Sequence, residues 1–120
     1  MGANSSAMVK LVAQFRRPED PEQLLADVVG QVLPRCRTIP GVERVALASA
    51  GDEAIDIEAI DGQKSDRRGA PFLIAELYFS DRSTFDDALA TPQAESALGT
   101  LLEVSNREVH VFLADVQADR

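Results

Sequence analysis

Four polar side chains that could take part in acid–base chemistry or hydrogen bonding fall inside predicted strands of this 120-residue chain. Glu76 and Tyr78 lie in PFLIAELYFS, Gln14 lies in VKLVAQFR, and His110 lies in REVHVFLADV. A spacing of two residues places Glu76 and Tyr78 on one face of a strand. A carboxyl, a phenol and an imidazole could together act as general acid and base on an enolisable or phenolic compound. We therefore take Glu76, Tyr78 and His110 as candidate catalytic residues.

A structural role is the alternative interpretation of the same side chains. A carboxylate in an apolar site is costly unless it is paired or hydrogen-bonded. Beside His110, Glu76 would have a raised pKa or would pair with an imidazolium. Buried polar groups in a dimer interface more often hydrogen-bond to each other or to the partner chain without any catalytic role, so a structural or interface role is the alternative use for this set.

Four segments alternate in the way that is typical of strands. They cover residues 9–16, 42–50, 72–79 and 107–116. Sorting the first, third and fourth by parity gives one nearly all-apolar face, which we expect to pack under helices. This set contains Leu11, Ala13, Phe15, Leu73, Ala75, Leu77, Phe79, Val109, Val111 and Leu113.

Two helical regions separate the strands. The first has Asp20 as its predicted N-cap and Pro21 as its first residue. Its apolar stripe is interrupted by Pro34, which should bend the helix; the stripe contains Leu24, Leu25, Val28, Val29, Val32, Leu33 and Cys36. The second has Ser83 as its predicted N-cap and a new start at Thr91-Pro92. Its apolar face contains Phe85, Ala88, Leu89, Ala94, Ala97, Leu98, Leu101 and Leu102.

The order β-α-β-β-α-β predicts an α+β, ferredoxin-like domain over residues 9–116, with a four-stranded antiparallel sheet. The right-handed crossover rule places the first and third strands in its centre. Two helices cover one face of such a sheet and leave the other open. Residues 1–8 and 117–120 are predicted to be tails, and no run in the chain is long and apolar enough for a membrane span.

The uncovered face mixes large apolar groups with polar ones. Val12, Gln14, Ile74 and Phe112 are its candidate ligand-pocket residues, next to Glu76, Tyr78 and His110. Burying this face against a second copy would remove several hundred Å² from water, at roughly 25 cal/mol per Å² of apolar area. We therefore predict a homodimer joined through the open faces of the two sheets, with room for a small apolar ligand.

Composition excludes several classes of function. The net charge of −8 argues against nucleic-acid binding, which needs clustered Lys and Arg. The single cysteine, Cys36, permits no internal disulfide, lies on an apolar stripe and favours a reducing, cytoplasmic location. We expect no cofactor and no metal site, because no phosphate-binding loop or zinc spacing is present.

The segment between the second and third strands, residues 51–70, is the longest connection. Its first half, EAIDIEAID, could extend the strand or form a hairpin, and its second half, GQKSDRRG, is rich in turn formers. Its acidic residues follow no calcium-loop spacing; they are Asp52, Glu53, Asp56, Glu58 and Asp61. We expect a solvated hairpin there, with a lid as the functional alternative.

Three stretches of this chain resemble the EthD family of dimeric α+β barrel proteins. They are MVKLVAQFRRPEDPEQL, LPRCRTIPGV and FLIAELYF, and the resemblance covers residues 8–116. It implies a barrel-like dimer with a small-molecule cavity between sheet and helices. Similar members act without a metal on aromatic polyketides, as decarboxylases, dehydratases or oxygenases.

One position departs from that family. Members commonly carry a histidine two residues before the helix proline, where this chain has Val32 in QVLPR. Two classes of function follow. One is cofactor-free acid–base chemistry on, or binding of, a small apolar or aromatic compound. The other is a non-catalytic dimeric binding or structural module that lacks the histidine.

Overall fold

The computed structural model describes residues 7–49 and 71–117, and these form one four-stranded antiparallel sheet with helices on one face. The strands are β1 (Val9–Phe15), β2 (Val42–Ser49), β3 (Leu73–Phe79) and β4 (Val109–Asp115). Their order across the sheet is β2-β3-β1-β4. The predicted ferredoxin-like arrangement, with the first and third strands central, is therefore confirmed.

Three of the helical segments begin at a side-chain cap. α1 (Pro21–Asp27) begins after Asp20, whose carboxylate accepts a hydrogen bond from the Gln23 amide at 3.1 Å. α4 (Pro92–Val104) begins after Thr91, whose hydroxyl accepts from the Ala94 amide at 3.2 Å. The predicted cap at Asp20 and the predicted helix start at Thr91-Pro92 are confirmed.

The cap of α3 (Arg82–Leu89) differs from the prediction. Asp81, rather than Ser83, is the N-cap, and its carboxylate accepts from the Thr84 amide at 2.7 Å. The available signal was Asp81 itself, two residues after the end of β3, because a carboxylate caps a helix as well as a hydroxyl does.

The proline inside the first helical region is accommodated by a change of helix type. A π-helical segment, Val28–Val32, joins α1 to α2 (Leu33–Cys36), and the Leu33 amide donates to the Val28 carbonyl five residues back. Pro34 cannot donate to the carbonyl of Gly30, and a wider turn ahead of it relieves the clash of its ring with that carbonyl. The expected bend is thus a π turn.

The core lies between the helices and the sheet. Phe15, Leu73, Val28 and Val32 are fully buried, and Phe79 packs edge-on against Phe85 with ring centroids 5.3 Å apart. The predicted apolar stripes of the helices are broader than the stripes that are buried, because each helix packs against the sheet on one side only. Residues predicted to be in the core but exposed are Leu25, Val29, Leu89 and Val111.

A one-residue bulge at Glu43 shifts the pairing of β2 with β3. Val42 pairs with Phe79 but Arg44 pairs with Tyr78, so residues after the bulge change faces. Val45 and Leu47 then pack against the core, and Arg44 lies on the opposite face. Just before the strand, Gly41 adopts φ +89°, a conformation that favours glycine.

The insert of residues 51–70, with its acidic set and its proposed lid, lies outside the described residues. Within residues 7–49 and 71–117, no helix is both long and apolar enough to cross a membrane. Cys36 is buried, and burial raises the pKa of its thiol to about 11. The prediction that Cys36 is a core residue is confirmed.

Candidate functional site

The sheet face opposite the helices, which we call the open face, is organised in three rows of side chains that run across the strands. The Glu76 row contains Ala46, Glu76, Val12 and Phe112; the Tyr78 row contains Arg44, Tyr78, Lys10 and Ala114; the His110 row contains Ala48, Ile74, Gln14 and His110. All seven site residues predicted from the sequence therefore lie on this face.

A hydrogen-bonded network joins the Glu76 row to the Tyr78 row. The Lys10 Nζ donates to Glu76 Oε2 at 2.8 Å, and the Tyr78 hydroxyl donates to Glu76 Oε1 at 2.8 Å. The Arg44 guanidinium lies over the Tyr78 ring, 5.0 Å from its centroid. We call Lys10, Arg44, Glu76 and Tyr78 the Glu76 cluster. Both oxygens of the carboxylate are occupied by protein donors.

The cluster holds Glu76 in its ionised form. Its hydrogen bond with Lys10 lowers the pKa of the Glu76 carboxyl, with smaller contributions from Tyr78 and Arg44, and outweighs the opposing effect of burial. The same contact raises the pKa of Lys10. This corrects the expectation that Glu76 has either a raised pKa or an imidazolium partner, because the charge that pairs with it is the ammonium of the adjacent strand.

The Lys10–Glu76 ion pair should give a stability contribution that depends on pH. The lowered pKa of Glu76 makes its contribution present above its ordinary value of 4.5 and lost as pH falls through the folded-state pKa. The raised pKa of Lys10 makes its contribution present below 10.5 and lost as pH rises. Glu76→Gln should therefore lower the free energy of unfolding by about 1 kcal/mol at neutral pH, and the difference should vanish in acid.

Urea unfolding across pH measures this difference, and Glu108→Gln is the matched control. Glu108 pairs with Arg16 at 3.5 Å with both side chains more than half exposed, so its loss should have little effect. A stability difference for Glu76→Gln that persists unchanged into acid would contradict the ion-pair assignment.

His110 is further from Glu76 than the sequence predicted. It pairs with Gln14, whereas Glu76 pairs with Val12. The two side chains therefore lie in adjacent rows, on strands that are separated by β1. Strand spacing and rise put their α-carbons roughly 12 Å apart. The His110 ring instead lies against Phe112, with centroids 5.3 Å apart. Three polar neighbours were predicted for Glu76. Within the described residues it contacts one of them, Tyr78, and does not contact Gln14 or His110.

A surface groove of about 430 Å³ begins at the His110 row. It lies where the ends of β1 and β4 meet the segment before β3, and its lining is mostly polar: Gln14, Arg16, Pro71, Arg107, Glu108, Val109 and His110. Two predicted site residues, Gln14 and His110, border this groove, whereas Glu76 and Tyr78 do not. Among the described residues, no group of His, Cys, Asp and Glu side chains is arranged to hold a metal ion.

Two residues of the Glu76 cluster were missed by the sequence analysis. Lys10 has the parity of Val12 and Gln14, so simple alternation was enough to find it. Arg44 has the parity of Val42, which faces the core, and only the bulge at Glu43 brings it to the open face. No local sequence signal marks that bulge.

The position at which family members carry a histidine is buried in the core of this protein. Val32 is 0% exposed and belongs to the core between the helices and the sheet. It therefore does not border the open face or the Glu76 cluster.

Comparison with solved structures identifies the fold. An EthD family protein from Bacillus halodurans C-125 superposes with a TM-score of 0.74 over 92% of this chain and 99% of that protein, at 18% identity. The chain has an EthD-like fold. The resemblance drawn from the sequence is thus confirmed at the level of the fold.

Two further structures share the EthD-like fold at lower similarity. One is a dimeric ferredoxin-like protein of unknown function from Thermobifida fusca YX, with a TM-score of 0.62, 13% identity and 92% of each chain covered. The other is SnoaB, a cofactor-independent oxygenase from Streptomyces nogalater, with a TM-score of 0.60, 15% identity and 95% of each chain covered. At such identities the likeness concerns the fold.

Sequence comparison adds little to the EthD-like assignment. No family model matches the chain. A coenzyme F420:L-glutamate ligase from Methanothermobacter thermautotrophicus is 30% identical over 114 residues, which cover 80% of this chain. The chain spans 45% of that ligase's length, so no activity is carried over from it.

Proposed function

We propose that this protein is a homodimer that holds a small, mostly apolar or aromatic compound against the open faces of its two sheets. The observation that supports this most directly is the Glu76 cluster, which sets a fixed carboxylate and its donors beside apolar side chains. Small-molecule sites combine apolar walls with a few placed polar groups. Ile74 and Phe112 are the walls in this proposal, whereas Val12, a predicted pocket residue, is only 4% exposed and has little surface left for a ligand.

Dimerisation through the open face is supported by its exposure and by the similar structures. Phe112 is 37% exposed on this face, and the helices among the described residues pack against the other one. The Thermobifida fusca protein that shares the fold is dimeric. A cytoplasmic location suits a chain whose single cysteine is buried and free.

The charge state of Glu76 favours binding over base catalysis by this residue. A carboxylate with a lowered pKa and two engaged oxygens is a weak general base near neutral pH. Its role in the proposal is to fix the Lys10 and Tyr78 donors. In the acid–base version of the proposal, Tyr78 donates a proton and His110 accepts one, with a ligand that spans the rows between them.

The burial of Val32 favours a second candidate, a dimeric module without catalysis. The family's acid–base histidine has no counterpart here, and the side chain in its place is packed in the core. In this version, the space between the open faces of the two subunits is filled by Phe112 and Ile74 of both copies. The two candidates differ in whether a small molecule enters the interface.

A titration with 2-naphthol, followed by fluorescence anisotropy, tests the first candidate. The chain has no tryptophan, so the naphthyl signal is free of protein background. The dimer measured by light scattering should bind this probe saturably. Phe112→Glu should abolish both binding and dimerisation, because it places a charge in the apolar face.

Val29→Glu is the matched control for that titration. Val29 is also an exposed apolar residue, at 50%, but it lies on the helical layer. Its substitution should leave both the dimer and the binding intact. A wild-type dimer that fails to bind 2-naphthol would favour the non-catalytic module, and a wild-type monomer would contradict both candidates.

A further inference from the structure

The charged side chains of the open face balance each other on a chain that is strongly acidic. The whole chain carries a net charge of −8. Among the side chains that β1 to β4 place on the open face, Lys10 and Arg44 are cationic, and Glu76 and Glu43 are anionic, since Glu43 in the bulge has the parity opposite to core-facing Val42. The open face therefore repels an anion less than the rest of this acidic surface does.

Arg44 is the cation of the open face that makes no ion pair among the described residues. The two oxygens of Glu76 accept instead from Lys10 and Tyr78. The Arg44 guanidinium lies on the Tyr78 ring, and among the described residues it has no hydrogen-bond partner. A guanidinium has five N–H donors in a planar fork and prefers to bind two oxygens of one anion.

Arg44 is also placed on this face by a specific backbone feature. The bulge at Glu43 pairs Arg44 with Tyr78; without it, residue 44 would keep the core-facing parity of Val42. Bulges commonly re-aim a side chain toward a functional surface. The aromatic ring beneath the guanidinium restricts its orientation, and its N–H fork, at the end of the Tyr78 row, has no hydrogen-bond partner within residues 7–49 and 71–117.

We propose that the bound compound is an aromatic anion whose carboxylate, phenolate or enolate oxygens are bound by Arg44 above the Tyr78 ring. This inference rests on the proposed small-molecule function and gives the chemical class of its ligand. Arg44 is the residue that distinguishes the anion from a neutral compound of the same shape. Phe112, in the next row, contacts the apolar part of the ligand.

A pair of probes of equal shape tests the charge preference. Naphthalene-2-carboxylate and naphthalene-2-carboxamide differ in charge but hardly in size. Anisotropy titrations should show about tenfold or more tighter binding of the carboxylate to the wild-type protein, the value of one charge-assisted hydrogen bond. This preference should weaken with added salt, whereas carboxamide binding should not.

Three variants test whether Arg44 causes the preference for the carboxylate probe. Arg44→Gln should bind both probes equally, and Arg44→Lys should keep part of the preference because it keeps the charge. Arg35→Gln is the control, since this exposed arginine on α2 donates to the Gln31 carbonyl in the helical layer. It should bind as the wild type does.

The outcomes separate this inference from the proposed function. Equal binding of both probes by the wild-type protein would overturn the anion preference and leave the small-molecule function standing. Failure of both probes to bind would overturn both. If Arg44→Gln became monomeric, Arg44 would be paired with an acidic side chain of the second copy, and its assignment to a ligand would be wrong.

Discussion

Replacement of Val32 by histidine is expected to lower the free energy of unfolding by about 3 kcal/mol without creating an acid–base site. Val32 is 0% exposed in the core, and an imidazole is larger than an isopropyl group. Overpacking a filled core costs about 1–3 kcal/mol. A buried imidazole without a partner adds a similar amount. Urea unfolding at neutral pH measures the loss.

Gln31→His controls for the substitution itself. Gln31 is the preceding residue in the same π-helical segment, but its side chain is exposed and donates to Asp27 at 3.2 Å. Its replacement should cost less than 1 kcal/mol. A Val32→His protein as stable as the wild type would mean that an imidazole fits here. The core around residue 32 would then be open to the histidine found in the family, and the enzymatic version of the function would gain support.

Truncation of Phe79 to alanine should have the largest effect on stability, a loss of about 3–5 kcal/mol. Phe79 is 2% exposed and packs edge-on against Phe85, so its ring joins the sheet to α3. Removing it leaves a cavity that neighbouring side chains fill only in part. Because small domains are stable by only about 5–15 kcal/mol, the variant should unfold at a much lower urea concentration.

Phe112→Ala is the matched control, since it removes the same ring from the open face. Both variants are unfolded at two protein concentrations, because a contribution from dimerisation depends on concentration. The loss for Phe79→Ala should be the same at both, whereas any loss for Phe112→Ala should change with dilution. Equal and concentration-independent losses for the two would contradict the assignment of the core to one face of the sheet.

The fold was predictable because its main signals are local and periodic. Alternation marked the strands, the cap at Asp20 and the helix start at Thr91-Pro92 marked the helices, and the crossover rule then predicted the sheet order. The main errors concern which helical residues are buried. Leu25, Val29 and Leu89 belong to apolar helical stripes, yet they stay exposed because one sheet covers only part of each helix surface.

The face that the predicted side chains share could be read from parity, but the pairing of Glu76 could not, and Lys10 and Arg44 were missed. Parity placed Glu76, Tyr78 and Gln14 on one face, and the structure agrees. Pairing depends on register, which a single sequence specifies poorly. Register is what makes Lys10, rather than His110, the partner of Glu76, and what brings in Arg44 across a bulge.

The bulge at Glu43 makes the number of residues before Arg44, rather than the identity of a side chain, decide which residues of β2 lie on the open face. Replacing Glu43 by another residue would keep the count of residues and so keep Arg44 beside Tyr78. Deleting one residue between Gly41 and Arg44 would restore strict alternation and turn the guanidinium towards the core. Insertions and deletions at this one point could therefore change the charge of the open face while Arg44 itself is retained.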